Sequence, residues 1–353
     1  MQEQKPRRTH RFQKSQRAQS ALRLLPPLVA EDDSMPLGSV QFDVGVSSPA
    51  VQPQVAAPVR QIGGFRSQLV CGDVVHVLAK HPVTHKFDVI IADPPYNIGK
   101  DFGNSSDTRS LGEYIEWCQR WINQCLDLLS FDGILYVYGF PEILARVAST
   151  FPIDHQRWLA WHYTNKTVPS LKFWQRSHES ILCLWKPDHN RPCLEVDQIR
   201  EPYTQGYKTN IGRPRAQTVS RFAQNGGRST TYQDNGGALP RDVLKVPALA
   251  GGAGASERWF MCLDCDRRVY PPSEINKHRD CNTMKHPTQK PMELTRRLIQ
   301  SRINGSGGRV LIPFAGSGSE CVLCEQLGLE WLGIEINQDY VEFANKWLAQ
   351  CTD

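Results

Sequence analysis

At 353 residues and 40% hydrophobic content, the chain is long enough to bury one large core, or a core plus an inserted lobe. Its formal charge of +5 permits a polyanionic partner without requiring one, no stretch reaches the apolar length of a membrane span, and nothing resembles a secretory signal. Eleven cysteines without a regular framework read as the reduced thiols of an intracellular, cytoplasmic protein rather than as a disulfide scaffold.

Residues 1–60 do not read as folded. Lys5, Arg7, Arg8, Arg11, Lys14 and Arg17 stand among few apolar residues, and a stretch rich in Pro, Val, Ala and Gln without period comes next. A solvated tail, a nucleic-acid arm and an organelle-targeting peptide all fit that composition, and Met35 is a second candidate start.

Folded sequence begins near Arg66. Gln68–Cys71 reads as a short strand ending at Gly72-Asp73, and Val74–Lys80 as a helix. The next stretch, FDVIIADPPY from Phe87 to Tyr96, is an apolar run bounded by turn residues, the pattern of an interior strand in a parallel sheet. Ligands of such sheets gather at the carboxyl ends of strands, so Asp93, Pro94, Pro95 and Tyr96 are expected at the rim of a site. Asn97–Ser110, rich in Gly, Asn, Ser and Asp, reads as a loop able to close over a substrate. From Leu111 to Leu129 the apolar residues recur at helical spacing, which predicts a long amphipathic helix with Trp117 and Trp121 in the core. Asp132-Gly133 is expected to turn into a buried strand, Ile134–Tyr138, and Pro141–Ser149 to form a helix.

Trp158–Tyr163 and Ser180–Trp185 read as two later strands. The loop between them, Asn165–Glu179, interleaves Lys166, Lys172, Phe173, Trp174, Arg176 and His178. Alternating cations and aromatics suit phosphate contact plus base stacking, although ordinary packing at a rim fits any one of them equally well.

Between Pro187 and Met284 the pattern dissolves into glycine pairs at Gly226-Gly227, Gly236-Gly237 and Gly251-Gly252, with Lys208, Arg213, Arg215, Arg221, Arg228 and Arg241 spread among polar residues. Such a span is too long for a plain loop and reads as an inserted, weakly regular lobe that touches a phosphate backbone. Within it Cys262, Cys265, His278 and Cys281 form two short-spaced pairs a dozen residues apart, a spacing that can close a tetrahedral structural zinc site. Unbound thiols are the alternative, and His286 is a substitute for His278 as the fourth ligand. Cys321 and Cys324 fall on a predicted helix, where packing accounts for them.

His286–Pro291, HPTQKP, leads into a predicted helix over Met292–Ile303 with proline in its first turn. Arg309–Phe314 then reads as a strand, Phe314–Ser319 as a glycine turn, Glu320–Leu327 as a helix, and Trp331–Ile336 as a strand that brings Glu335 to its end. A glycine turn between strand and helix lets a nucleotide-like ligand approach the backbone, and an acid ending the next strand can accept hydrogen bonds from ribose hydroxyls. Cysteine at position 321 replaces the third glycine of a dinucleotide fingerprint, which weakens a nicotinamide oxidoreductase reading.

The Asp93–Tyr96 corner suits one difficult task. An exocyclic amine on a nucleobase has its lone pair delocalised into the ring, and it becomes nucleophilic only when acceptors take both N–H hydrogens. Asp93 and the Pro94 carbonyl, held stiffly by the two prolines, can be those acceptors, and Tyr96 can stack on a base taken out of its duplex. With Asp93-Pro-Pro-Tyr96-Asn97, His286-Pro-Thr-Gln-Lys-Pro291 and Phe314-Ala-Gly-Ser-Gly318 in this order, the chain resembles the β arrangement of the S-adenosylmethionine-dependent DNA amino-methyltransferases.

That resemblance implies a doubly wound, mostly parallel α/β sheet of Rossmann-like methyltransferase type, with an inserted target-recognition lobe. It implies a tail over 1–60, a catalytic half over 66–186, the lobe over 187–284 and a cofactor-binding half over 285–353. Asp93, Pro94, Pro95 and Tyr96 would hold the target amine. Asp73 would lie near cofactor and base, Asp93 would also border the cofactor, Phe314, Gly316 and Gly318 would form the turn beneath S-adenosylmethionine, Glu335 would hold its ribose, and Thr288 and Lys290 would approach its methionine end. Aspartate as the first residue of the tetrapeptide favours adenine N6, with cytosine N4 as the alternative on the same machinery. A non-catalytic, zinc-stapled nucleic-acid binder is the alternative from another class. DNA is the expected partner, a restriction-modification system is one owner of such a chain, and the reading leaves room for a homodimer.

Overall fold

The computed structural model describes residues 60–62, 65–81, 84–98, 109–165, 172–188, 191–214, 231–249, 251–252, 255–256, 258–265 and 267–351. The chain runs through β1 (Arg60–Ile62), β2 (Phe65–Cys71), α1 (Val74–Lys80), β3 (Phe87–Ala92), α2 (Leu111–Leu128), β4 (Leu129–Gly139), α3 (Pro141–Ala148), β5 (Gln156–His162) and β6 (His178–Leu184). It continues through α4 (Gln205–Lys208), β7 (Val243–Lys245), β8 (Gly251–Gly252), β9 (Ala255–Ser256), β10 (Phe260–Cys262), β11 (Val269–Tyr270) and β12 (Thr283–Met284). Last come α5 (Met292–Gln300), β13 (Arg309–Ile312), α6 (Ser319–Gln326), β14 (Glu330–Glu335) and α7 (Gln338–Ala349). The basic and proline-rich stretch 1–59, most of the 97–110 loop, Lys166, and the lobe residues Arg215, Arg221, Gly226, Gly227 and Arg228 lie outside the described residues.

One nine-stranded sheet, in the order β1-β2-β14-β13-β3-β4-β6-β5-β7, carries the molecule. Its middle, from β2 to β4, is parallel, while β6 runs antiparallel to both β4 and β5. Both faces are covered. On β4, Ile134, Tyr136 and Tyr138 turn to one apolar cluster and Leu135 and Val137 to the other, as the period of two requires. Helices α1, α2 and α3 close the second cluster and α5, α6 and α7 the first. Strands buried on both sides need apolar residues at nearly every position, which is why FDVIIA carries no alternation.

Helix α2 is specified locally as well as by packing. The Ser110 side chain accepts from the Glu113 N–H while the Glu113 carboxylate accepts from the Ser110 N–H, a reciprocal cap that satisfies two donors of the first turn. Its apolar stripe then buries Tyr114, Trp117, Cys118, Trp121, Ile122, Cys125 and Leu126 against the sheet.

Several expectations are corrected. Asp132-Gly133 does not make a turn: β4 runs unbroken from Leu129 to Gly139, and its pairing with β3 shifts register between Phe87 and Val89. Gly133 is where the strand passes close to its neighbour, since a Cβ there would fall 2.9 Å from the Phe87 carbonyl oxygen. Helix α5 starts after Pro291, which occupies the N-cap, and ends at Gln300. The last helix, α7, is an addition to the expected elements, although Asn337 caps it by accepting from the Asp339 N–H. So is β7, which comes from the 187–284 region and pairs parallel with β5 at the sheet edge.

Candidate active site

The loops after four parallel strands open into one cleft. Gly72 and Asp73 follow β2, Asp93 to Tyr96 follow β3, Pro313 to Ser317 follow β13, and Glu335 ends β14; all of them line it, with Thr288, Gln289 and Lys290 along one wall. The acidic corner and the glycine turn therefore face a common space, although 222 positions separate Asp93 from Ala315 in the numbering.

Asp93 is held from two sides. Lys290 Nζ lies 2.6 Å from its Oδ2, and the Tyr96 hydroxyl donates to Oδ1 at 2.7 Å. Lys290 also lies 3.7 Å from a carboxylate oxygen of Glu179, whose other oxygen accepts from the Tyr163 hydroxyl at 2.8 Å. The lysine side chain is only 3% exposed. Burial works against its charge, but Asp93 and Glu179 outweigh that effect and the net shift is upward, so the ammonium persists at neutral pH. Tyr96 is pushed well up by burial, with Asp93 and Glu179 adding to it, and stays a neutral donor. Tyr96 is 9% exposed, its ring meets Phe140 edge-on at 5.1 Å, and its hydroxyl orients the Asp93 carboxylate.

Across the cleft, Gly316 adopts φ 51°, and a Cβ there would lie 2.8 Å from His286 Nε2. Glu335 accepts from the Gly316 N–H at 2.8 Å and from the Asn337 N–H at 2.8 Å, which ties turn, strand end and α7 together. Burial raises Glu335, while these backbone donors pull it down. Phe314 lies edge-on to Trp117 and Trp121, at 5.6 and 5.1 Å between ring centres. Gly318 is not among the lining residues. It caps α6 with φ 78°, and a Cβ there would sit 2.5 Å from Ala344 Cβ, so its bare backbone serves helix packing.

Sequence reasoning misses several participants. Glu179 reads only as the end of a loop, yet it faces Asp93 through Tyr96 and Lys290. Glu320 lines the cleft 6% exposed; burial, opposed by the Ser319 hydroxyl and reinforced by Asp93, pushes it up to about 7. The available signal is the position of Glu320 itself, an acidic residue that opens the predicted helix directly after the glycine turn. Trp117 is core, as expected, and also part of the cleft wall.

Cys262, Cys265, His278 and Cys281 do converge: one ligand atom from each lies within 4.8 Å of all the others. His286 is not the fourth member, for it packs edge-on against Tyr340 at 4.7 Å and lines the cleft. Cys321 and Cys324 are fully buried and not in that group. In the 165–179 loop, Phe173 and Trp174 are 79% and 87% exposed. Arg176, by contrast, pairs with Glu142 and lies over the Phe140 ring, and His178 begins β6.

A doubly wound sheet with its ligand-facing residues at the carboxyl edge, and a late antiparallel strand pair, is the framework of a Rossmann-like methyltransferase. The family model described as DNA methylase matches residues 87–346, and the chain belongs to that family, the S-adenosylmethionine-dependent DNA amino-methyltransferases of the N6/N4 type. Among curated relatives, it is 26% identical over 287 residues to the type II methyltransferase M.HpaI of Haemophilus parainfluenzae, covering 80% of this chain and 74% of that one. It is 28% identical over 286 residues to the DNA adenine methyltransferase YhdJ of Escherichia coli (strain K12), covering 80% and 82%. The fold is similar to that of the PvuII DNA methyltransferase (cytosine-N4-specific), with a TM-score of 0.51 at 13% identity over 81% of this chain and 90% of that one.

Proposed function

We propose that the chain methylates adenine at N6 in DNA. The observation that carries this reading is the shared cleft, in which the Asp93 carboxylate and the Gly316 turn face the same space. Aspartate at the head of the tetrapeptide and the similarity to a DNA adenine methyltransferase favour adenine over cytosine.

The lining suits S-adenosylmethionine. Glu335 would accept from the ribose, the bare backbone of Gly316 would admit the nucleoside, Phe314 would bound it, and Asp73 and Thr288 would bind polar groups nearby. When bound, that cofactor supplies an electrophilic methyl group. The remaining work falls to the chain. Each carboxylate oxygen of Asp93 has two acceptor sites, so contacts with Lys290 and Tyr96 leave capacity for an N–H of the amine. The Pro94 carbonyl takes the second hydrogen, the lone pair turns out of the ring plane, and Asp93 stabilises the positive charge that develops on nitrogen. Lys290 thus serves the acid corner more directly than the methionine end, and it fixes the Asp93 carboxylate in place.

In this reading 66–186 and 285–353 are the two halves of the catalytic domain, and the 187–284 lobe with the 165–179 loop contacts DNA. Phosphate contacts there offset the few kcal/mol needed to extrude a base. Cys262, Cys265, His278 and Cys281 suit structural zinc, because none of them lines the cleft.

Nucleoside mass spectrometry of DNA incubated with the protein and S-adenosylmethionine is the test. N6-methyladenine is the expected product. N4-methylcytosine would replace adenine by cytosine as the target, and neither product would leave a nucleic-acid binder without activity.

A further inference from the structure

The Cys/His quartet lies beside the strands that lead into one wall of the cleft. For bonds of about 2.3 Å, a tetrahedral zinc site places its sulfur ligands about 3.8 Å apart. Cys265 Sγ lies 3.7 Å from both Cys281 Sγ and His278 Nδ1. The two halves of the quartet are also tied by backbone, with the Leu263 N–H donating to the Asn282 carbonyl at 2.9 Å and the Asn282 N–H to Asp264 at 2.6 Å. Three thiolates and one imidazole select zinc over harder cations.

The quartet is continuous with the cleft wall. Cys262 ends β10, which pairs with β12 through Cys262↔Thr283 and Met261↔Met284. From Met284 the chain runs directly into His286, Thr288, Gln289 and Lys290 on the cleft wall. The module is moored to α7 on the other side: Trp259 stacks on Trp347 at 4.7 Å, and Arg267 makes a two-pronged pair with Glu342 at 2.8 and 3.0 Å. Helix α7 also presents Tyr340 to His286 and to the cleft.

We infer that zinc bound by Cys262, Cys265, His278 and Cys281 is a brace that registers the 285–291 segment against α7, and so fixes Lys290 on Asp93. The module buries few apolar side chains of its own, chiefly Phe260, Met261 and Val269, so the metal supplies the rigidity that core packing does not. Its expected effect on cofactor binding rests on the methyltransferase assignment; its expected effects on metal content and hydrogen exchange do not.

The full chain is purified from zinc-supplemented cells without chelator. Metal content, amide hydrogen exchange and the S-adenosylmethionine dissociation constant are then compared for wild type, Cys265→Ser and Cys281→Ser, and for wild type stripped with a chelator and returned to Zn2+ alone. The brace predicts about one zinc per chain in the wild type and less in the variants. It further predicts exchange over 285–291 faster by about tenfold or more after metal loss, with β3 and β13 still protected and weaker cofactor binding. Returning Zn2+ restores the stripped wild type and not the variants. Absence of stoichiometric zinc, loss of zinc with 285–291 unchanged, or collapse of protection in β3 and β13 together with 285–291 would each overturn it. A chain that held zinc and showed this local loosening yet transferred no methyl group would uphold the brace and remove the functional reading instead.

Discussion

Lys290 Nζ and the Asp93 carboxylate meet at 2.6 Å across 197 positions of sequence, the lysine buried and the aspartate mostly so. The two motifs that carry the site are thereby joined by one charged hydrogen bond, in an environment where such bonds are strong and unpaired partners costly.

Asp93→Asn should abolish methyl transfer while leaving S-adenosylmethionine binding nearly unchanged. The substitution keeps shape but removes the negative charge that stabilises the developing cation, and Glu179 remains 3.7 Å from Lys290 as a partner. Product formation by mass spectrometry and binding by calorimetry check the two halves separately. Loss of cofactor binding in this variant would mean that the two sides of the cleft have been misassigned.

Gly316→Ala should act in the opposite sense, weakening cofactor binding with the fold retained. An alanine in the left-handed region costs about 1–2 kcal/mol. Its Cβ would also press on His286 at 2.8 Å, in the segment that leads to Lys290. Titration calorimetry should show a dissociation constant raised by about tenfold or more. Unchanged affinity would show that the backbone of this turn does not touch the cofactor.

Glu320 gives stability a pH dependence whose sign is set by its raised pKa. It titrates near 4.5 when exposed and at about 7 in the fold, so its contribution is fully present below 4.5 and declines as pH rises to 7. The integrated loss is on the order of 3 kcal/mol. Denaturant unfolding of wild type and Glu320→Gln between pH 4 and pH 8 should therefore show a stability difference that grows in favour of the glutamine variant across that window. Parallel curves would place the carboxyl in a more solvated setting.

In the proposed function the 165–179 loop contacts DNA, and Trp174 in that loop is 87% exposed beside Phe173 and Lys172. Trp174→Ala should weaken DNA binding by about 1–3 kcal/mol, the worth of stacking on one base, without altering thermal stability. Binding of the wild type should also fall steeply with salt as phosphate counterions compete. Fluorescence anisotropy with a labelled duplex reads both effects, and equal affinity of variant and wild type would take this loop out of the interface.

Much of the framework was determined by the sequence alone, because its signals are local. The apolar run of β3, the stripe of α2, the prolines after Asp93 and the glycines of the 314–319 turn each act over a few residues, and each appears where its spacing implies. The order of the three motifs was equally legible, and with it the family.

Other features were decided only by folding. Nothing near Lys290 in sequence marks it as the partner of Asp93, and nothing near Glu179 joins it to the same cluster, since long-range ion pairs leave no periodic trace. Tyr96 carries the composition of a stacking face but is buried against Phe140, and Gly318 carries that of a ligand-binding turn but packs against Ala344. His278 and His286 are interchangeable as metal ligands on spacing, and tertiary packing separates them by turning one toward the cysteines and the other toward Tyr340. Residue chemistry limits what each position can do; which partner it meets depends on how two covered faces of one twisted sheet bring distant segments together.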